Sequence, residues 1–544
     1  MYMKAKLTIL IFTLLNVVRA MAQDPITVNV DTAGNFMKCL TPEMATKVEN
    51  LVVIGEINGI DLKAIQDIAC RTKKADSILT LKKVDLSEAT IIESKEGKSK
   101  ANTMPDRLFA GSKSIESVIL PSSAINTGKN AFSGCKSLTE ITIPEGVTTI
   151  DDYSFAGCDA LKNIDIPSSV TKIGAHAFQA CNSLNEVIIP ENVKALGDNV
   201  FTSCEQLESV NIKGEIMDIG KSAFEGCSLL RDITIPTSVK NIFDSAFKGC
   251  KALENVELPD QLRTIGNHTF RGCTNLTQII APETLQEIGS HAFEECTNII
   301  SVDLQSSKVK ELSSSAFEKC STLASIMLPA TLKEIDSHAF QECQSLAEIS
   351  LPNSLEEIGD DAFRQCMTLT EVKIPATVKK IGSHAFDGCT ALQSATIMAF
   401  IKKLSTQTFA NCSSLSEVTL PITLQTVDDE AFENCISLVS LTLPNGVSAI
   451  GSSAFEGCTA LREIELSNSL KKVGRSAFKG CSNLSEIRSK AAIPPECKGD
   501  NTFKKVMTSN CILSVPKGCT NIYRAAKGWG IFSTINEINY AESK

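Results

Sequence analysis

The chain has no excess of positive charge: 53 Lys and Arg against 63 Asp and Glu give a net charge of −10 and a pI near 5.3. Nucleic acid is therefore not an expected partner, because phosphates need a basic surface. Anionic membranes gain no general attraction either. The sequence contains no H-E-x-x-H, no G-x-S-x-G and no G-x-x-x-x-G-K-[ST]. The signatures of zinc hydrolysis, serine hydrolysis and phosphate cradling are thus missing. No C-x-x-C pair occurs, so zinc lacks its usual paired thiolates. After Val18 no apolar run approaches the roughly 20 residues that cross a bilayer. The expectation is a non-enzyme with no catalytic residues, no metal and no cofactor.

The N-terminus sets the compartment. Lys4 and Lys6 precede a short apolar run from Leu7 to Val18, and Ala20-Met21-Ala22 is an A-x-A cleavage site. This is the layout of a signal peptide over residues 1–22. The mature chain is expected to begin near Gln23 and to be exported, with no transmembrane segment left. Cell surface, secretion and periplasm all stay open.

What is present is a repeat. Phenylalanines stand at Phe109, Phe132, Phe155, Phe178, Phe201, Phe224, Phe247, Phe270 and Phe293, each 23 residues after the last. One step of 24 leads to Phe317, and the step of 23 resumes through Phe340, Phe363, Phe386, Phe409, Phe432, Phe455 and Phe478. A fixed period of this size marks stacked supersecondary units. A cysteine follows three residues after sixteen of these phenylalanines, among them Cys135, Cys158, Cys181, Cys227 and Cys250.

One unit, residues 132–154, shows the logic. Leu138, Ile141 and Ile143 form Leu-x-x-Ile-x-Ile, a half-buried strand pattern. Pro144 closes it, since proline cannot donate to a ladder. Val147 and Ile150 form a second short extended piece, and a short helical turn is expected to carry Ala-Phe-x-Gly-Cys. Leu, Ile, Val, Ala, Phe and Cys point inward, so no unit buries its apolar set alone and stability lies between neighbours. Phe132, Phe155, Phe178, Phe224 and Phe247 are read as a structural ladder, with the cysteines beside them as buried thiols. Parallel side chains lack the crossed geometry of a disulfide. Cys39, Cys70, Cys497, Cys511 and Cys519 lie off the ladder, where a disulfide is more plausible. His176, His268, His291, His338 and His384 all stand two residues before a ladder Phe. Polar residues such as serine and asparagine fill that slot elsewhere, so it is read as a solvated edge.

The motif Ile-x-Ile-Pro-x-x-Val-x-x-Ile-Gly-x-x-Ala-Phe-x-Gly-Cys-x-x-Leu, over about residues 105–490, resembles the repeat of BspA-like bacterial leucine-rich repeat proteins. The tail, with Leu513 to Gly518 and Tyr523 to Trp529, resembles that family's closing segment. The resemblance implies an α/β repeat: an elongated, curved, right-handed leucine-rich-repeat solenoid with short strands and capping segments at both ends. The expected layout is a signal peptide at 1–22 and an N-terminal cap with irregular leading repeats at 23–104. A solenoid of about 17 units follows at 105–490, and a C-terminal cap at 491–544.

The exposed positions carry the functional expectation. One outward column of the Leu-x-x-Ile-x-Ile strand includes Glu140, Glu186, Asp232, Glu348, Glu371, Glu417, Glu463 and Glu486, and no basic residue. The neighbouring column is threonine-rich. The Val-x-x-Ile strand is lysine-rich, for example at Lys172, Lys380, Lys403 and Lys472. An acidic sheet face and a basic second edge are therefore expected. Stacked pairs such as Glu348 with Glu371, and Glu463 with Glu486, should repel modestly. The acidic column is the candidate partner-binding face, selecting basic or hydroxyl-rich partners by complementarity. The resemblance implies adhesion to host matrix proteins or other cells, so the expected partner is an extracellular or surface protein. A structural envelope component, or an enzyme-accessory protein, is the alternative.

Overall fold

The computed structural model describes residues 24–70 and 81–539. The signal-peptide reading lies outside these residues. The chain divides into two compact units, Met1–Pro236 and Thr237–Lys544.

In the first unit a parallel sheet starts well before the repeats. Ile26–Val30 pairs with Asn50–Ile57, which pairs with Lys83–Asp85 and, further along, with Ala89–Ile91. Lys83–Asp85 then pairs with Ser117–Ile119, and that strand with Glu140–Thr142. The sequence suggests a strand ended by Gly55. The strand instead runs through Gly55 at φ +98°, where a Cβ would lie 2.6 Å from the Val30 carbonyl oxygen. The helix Gly59–Ala69 buries Leu62, Ile65, Ile68 and Ala69 at helical spacing. A reciprocal cap starts it: the Asn58 side chain accepts from the Ile60 amide, and Asp61 accepts from the Asn58 amide. Asp61 is buried and also accepts from the amides of Gly34 and Phe36, tying the leading loop to the helix.

Each repeat forms one coil of a parallel β-solenoid. Outer strands stack in register, such as Glu186–Ile189 on Ser209–Ile212, and in the second unit Glu371–Ile374 on Ser394–Ile397. The strand-closing proline carbonyl accepts the amide three residues on, as from Val147 to Pro144 and Leu262 to Pro259, which makes the corner. At two coils where the proline is missing, the residue in its place donates to the preceding coil: Lys213 to Ile189 and Met398 to Ile374. The extra residue behind the single 24 step is taken up by Ser307, whose amide and hydroxyl both donate to Leu304 O.

The Phe-Cys segment is not helical. It is a run of hydrogen-bonded turns, Ser133 N to Asn130 O and Cys135 N to Phe132 O, each spanning three residues. The reason is backbone conformation. The residue two before every ladder Phe has positive φ, from Arg107 at 59° and Ser222 at 49° to Ser476 at 56°. The residue two after it does as well, from Gly134 at 73° to Lys319 at 60°. Two left-handed residues within five positions exclude a right-handed helix. The turns also bond coil to coil, Phe109 N to Ala131 O and Gly111 N to Ser133 O, both at 2.7 Å.

Inside, the phenylalanine rings form stacks. From Phe109 to Phe224 in the first unit, centroids lie 5.2–5.5 Å apart. In the second unit Phe247 to Phe478 stack at 5.2–5.8 Å, and Phe503 extends the stack at 5.4 Å. Trp529 and Phe532 then pack edge-on against Phe503. All ladder phenylalanines and cysteines are fully buried. The glycine preceding the turn permits close coil approach: a Cβ on Gly474 would lie 2.3 Å from the Gly451 carbonyl carbon.

Candidate functional site: the exposed sheet face

Strand alternation decides which side chains meet solvent. In Glu140–Thr142 the middle residue is buried and its neighbours are exposed, and the pattern recurs from coil to coil. Glu140, Glu186, Asp232, Glu348, Glu371, Glu417 and Glu463 are exposed, and Glu486 is half-buried. The parallel register places Ser209 between Glu186 and Asp232, and Ser394 between Glu371 and Glu417. Serine thus separates the charges in both sheets. Glu463 and Glu486 do lie side by side, yet Arg488 from the neighbouring column bridges them at 3.2 and 2.8 Å. Arg488 holds the Glu486 carboxyl below its ordinary pKa, against the effect of burial. Lys373 pairs with Glu371 in the same way at 2.9 Å. Glu348 and Glu371 belong to coils with no strand pairing at residues 348–350. At Glu463 and Glu486 the expected repulsion is therefore offset by a partner one column over.

The second edge departs from the basic edge the lysines suggest. Its outward column carries Glu287, Glu311, Glu334 and Glu357 in its middle. Glu311, Glu334 and Glu357 lie in direct register, and Glu357 meets Lys380. Burial first, and then the carboxylates of Glu311 and Glu357, raise the Glu334 pKa. The lysines are paired across coils: Lys333 and Lys379 share Glu356, whose pKa falls to about 2, and Lys403 reaches Asp428. This edge is mixed: carboxylates stand in the same column, and Lys333, Lys379, Lys380 and Lys403 each reach a carboxylate about one period away.

A groove of ≈ 930 Å³ opens on the sheet face in the second unit. Asn255, Glu257, Gln278 and Ile280 line it from the outward columns, and Asp260 and Glu283 line it from the corner. No Lys, Arg or His borders it. Residues 255–257 form no strand, so the stacked ladder is interrupted here. Ile280, on the adjacent strand Gln278–Ile280, is 63% exposed at the groove. The groove joins three carboxylates to an exposed apolar contact on the sheet face. The columns were legible from sequence, but the groove was not, because it arises from a lost backbone pairing.

The ladder cysteines offer no chemistry. Within each unit the ladder thiols donate to a Phe carbonyl of the preceding coil, as Cys135 to Phe109 at 3.0 Å and Cys296 to Phe270 at 3.1 Å. Burial pushes the Cys135 and Cys273 thiols up to about 12, far from thiolate formation at neutral pH. All 21 cysteines are free, including Cys39, Cys70, Cys497, Cys511 and Cys519.

Stacked parallel coils, a proline corner and an inward leucine-phenylalanine set define a leucine-rich repeat solenoid. The chain belongs to the BspA-type leucine-rich repeat family: the profile described as BspA type Leucine rich repeat region (6 copies) matches residues 102–231, 218–347, 310–439 and 402–526. Among solved structures, a leucine-rich repeat protein from Bacteroides ovatus is 26% identical over 86% of this chain and 97% of its own, with a TM-score of 0.41. The T. pallidum leucine-rich repeat protein is 31% identical over 31% of this chain and 77% of its own, with a TM-score of 0.28. A leucine rich cell surface protein from Faecalibacterium prausnitzii is 24% identical over 78% of this chain and 90% of its own, with a TM-score of 0.27. No curated protein matches the chain.

Proposed function

We propose that this protein is exported and binds proteins outside the cell through its exposed sheet face, adhering to matrix proteins or to other cells. Repeat solenoids present extended surfaces suited to large partners. The leader-like residues 1–22 support export, and no helix among the described residues is long and apolar enough to cross a membrane. The observation that carries the reading is the groove at Glu257, Asp260 and Glu283, with exposed Ile280 at its side. It suits an extended basic segment of a partner, with lysine or arginine reaching the carboxylates and an apolar residue meeting Ile280.

The test uses the mature chain and two fluorescent peptides, one alternating Lys and Val and one alternating Glu and Val. The basic peptide is expected to bind and to weaken with salt. The triple variant Glu257→Gln, Asp260→Asn, Glu283→Gln should lose that binding, and a panel of matrix proteins should follow the same order. Equal binding of both peptides, or a triple variant that binds like wild type, would refute the assignment.

A further inference from the structure

The left-handed slot before each ladder Phe holds histidine on two successive coils at one place, His268 and His291. Their rings stack with centroids 4.7 Å apart. One residue past the ladder Phe of the second coil stands Glu294, whose carboxylate accepts from His291 Nδ1 at 2.8 Å. Glu294 is only 5% exposed. The ligand atoms of His268, His291 and Glu294 all lie within 4.8 Å of one another, the one such trio of metal-ligating groups among the described residues. His268 Nδ1 is shielded from solvent and has no hydrogen-bond partner. His384 Nδ1, in the same slot without a histidine on the next coil, is likewise shielded and unpartnered, so it is the convergence of three ligand atoms that sets the His268 coil apart.

We propose that His268, His291 and Glu294 form a binding site for a divalent transition-metal ion of the zinc type. Two imidazoles and one carboxylate are a sufficient set, and they leave a fourth position open to water or to a partner's side chain. The lone pair of each Nδ1 lies in its ring plane, so the stacked rings do not converge as they stand. One ring must turn about its terminal torsion, which is a soft motion. His291 must carry its proton on Nε2, freeing Nδ1 for the ion. Arg271 currently holds Glu294, with Nε to Oε2 at 3.0 Å, and it also faces Glu295 at 3.8 Å. It therefore competes with the ion, and the site is gated by a guanidinium that has a second carboxylate to move to.

The array supplies its own controls. At His176 and His338 the acceptor three residues on is Gln179 or Gln341, neutral in both cases. Neither of these histidines has a second one on the next coil. Asparagine occupies the same left-handed slot at Asn130 and Asn199, so His→Asn is a substitution this fold already tolerates.

The experiment is calorimetric titration of the untagged mature chain with Zn²⁺, in a Cys39→Ser, Cys70→Ser background that removes the accessible thiols. Co²⁺ absorption serves as a second readout of coordination. One equivalent of Zn²⁺ is expected to bind. His268→Asn, His291→Asn and Glu294→Gln should each weaken it by at least the ~10–100-fold that loss of an outer-sphere partner costs, and the two histidine variants should keep their melting temperature in metal-free buffer. Arg271→Gln should tighten it, while His176→Asn and His338→Asn should leave it unchanged. No binding, binding that survives His268→Asn and His291→Asn, or equal loss in His176→Asn would overturn the proposal.

Discussion

The interior ladder and the outward columns obey opposite rules. Along the ladder every coil repeats Phe, and in all but the first coil Cys follows three residues later. Along the outward column of the same coils, glutamate, serine, asparagine and glutamine alternate freely. The ladder is fixed because each ring fills the gap left by the ring below, and an empty position removes contacts on both sides. The columns vary because neighbours only need to avoid like charges, and Arg488 or an intervening serine accomplishes that. The lesson is that the repeat unit is a packing specification. Whatever is specific to this chain lies where the repeat is broken or decorated, at the groove beside Glu257 and at the paired histidines.

The largest contrast should come from removing one rung. Phe293→Ala, between Phe270 and Phe317, is expected to cost about 3–5 kcal/mol in denaturant unfolding, whereas Glu417→Ser on the face should stay within about 0.5 kcal/mol. Comparable costs would erase the distinction. Next is Gly474→Ala, which presses a methyl into the Gly451 backbone. It should cost about 1–3 kcal/mol, read as a lowered melting temperature. A gain is expected at the left-handed turn: Lys319→Gly, at φ 60°, should stabilise by about 0.5–1 kcal/mol, because glycine enters this region without the Cβ penalty.

The smallest effect separates the two edges by pH. Glu334 has a raised pKa in the fold, so its relative contribution to stability is present below the ordinary glutamate value and lost as pH rises through the raised one. Glu334→Gln should therefore stabilise at neutral pH and become neutral near about pH 3. Glu486 is lowered, so its contribution is present above the ordinary value and lost as pH falls. Glu486→Gln should destabilise at neutral pH and converge with wild type in acid. Melting curves across pH that shift in the same direction for both variants would contradict the electrostatics described here.

Much of the coil is legible in the sequence, because a side chain that recurs every 23 residues must face its own copies. The proline corner is legible for the same reason. The turn conformation is not. Asn, His, Ser, Asp, Tyr and Glu in one slot look like an ordinary solvated edge, although what they share is a left-handed backbone. That same conformation forbids the helical turn expected around Ala-Phe-x-Gly-Cys. A sharper signal was available: Asn, Asp and His together are enriched at positive φ. Phe503 escapes the register because it follows Phe478 by 25 residues, yet it stacks like the others. The groove and the cross-coil ion pairs stay hidden because they depend on which backbone groups pair between coils, which the repeat motif does not encode.

The central claim is that the repeated side chains are sealed inside and recognition is left to what surrounds them. Timed thiol labelling of the native protein tests this most directly. Cys39, which is exposed, should react at once and Cys70 more slowly, while the sixteen ladder cysteines stay silent until denaturant unfolds the chain. Rapid labelling of most ladder cysteines in the native state would contradict the account.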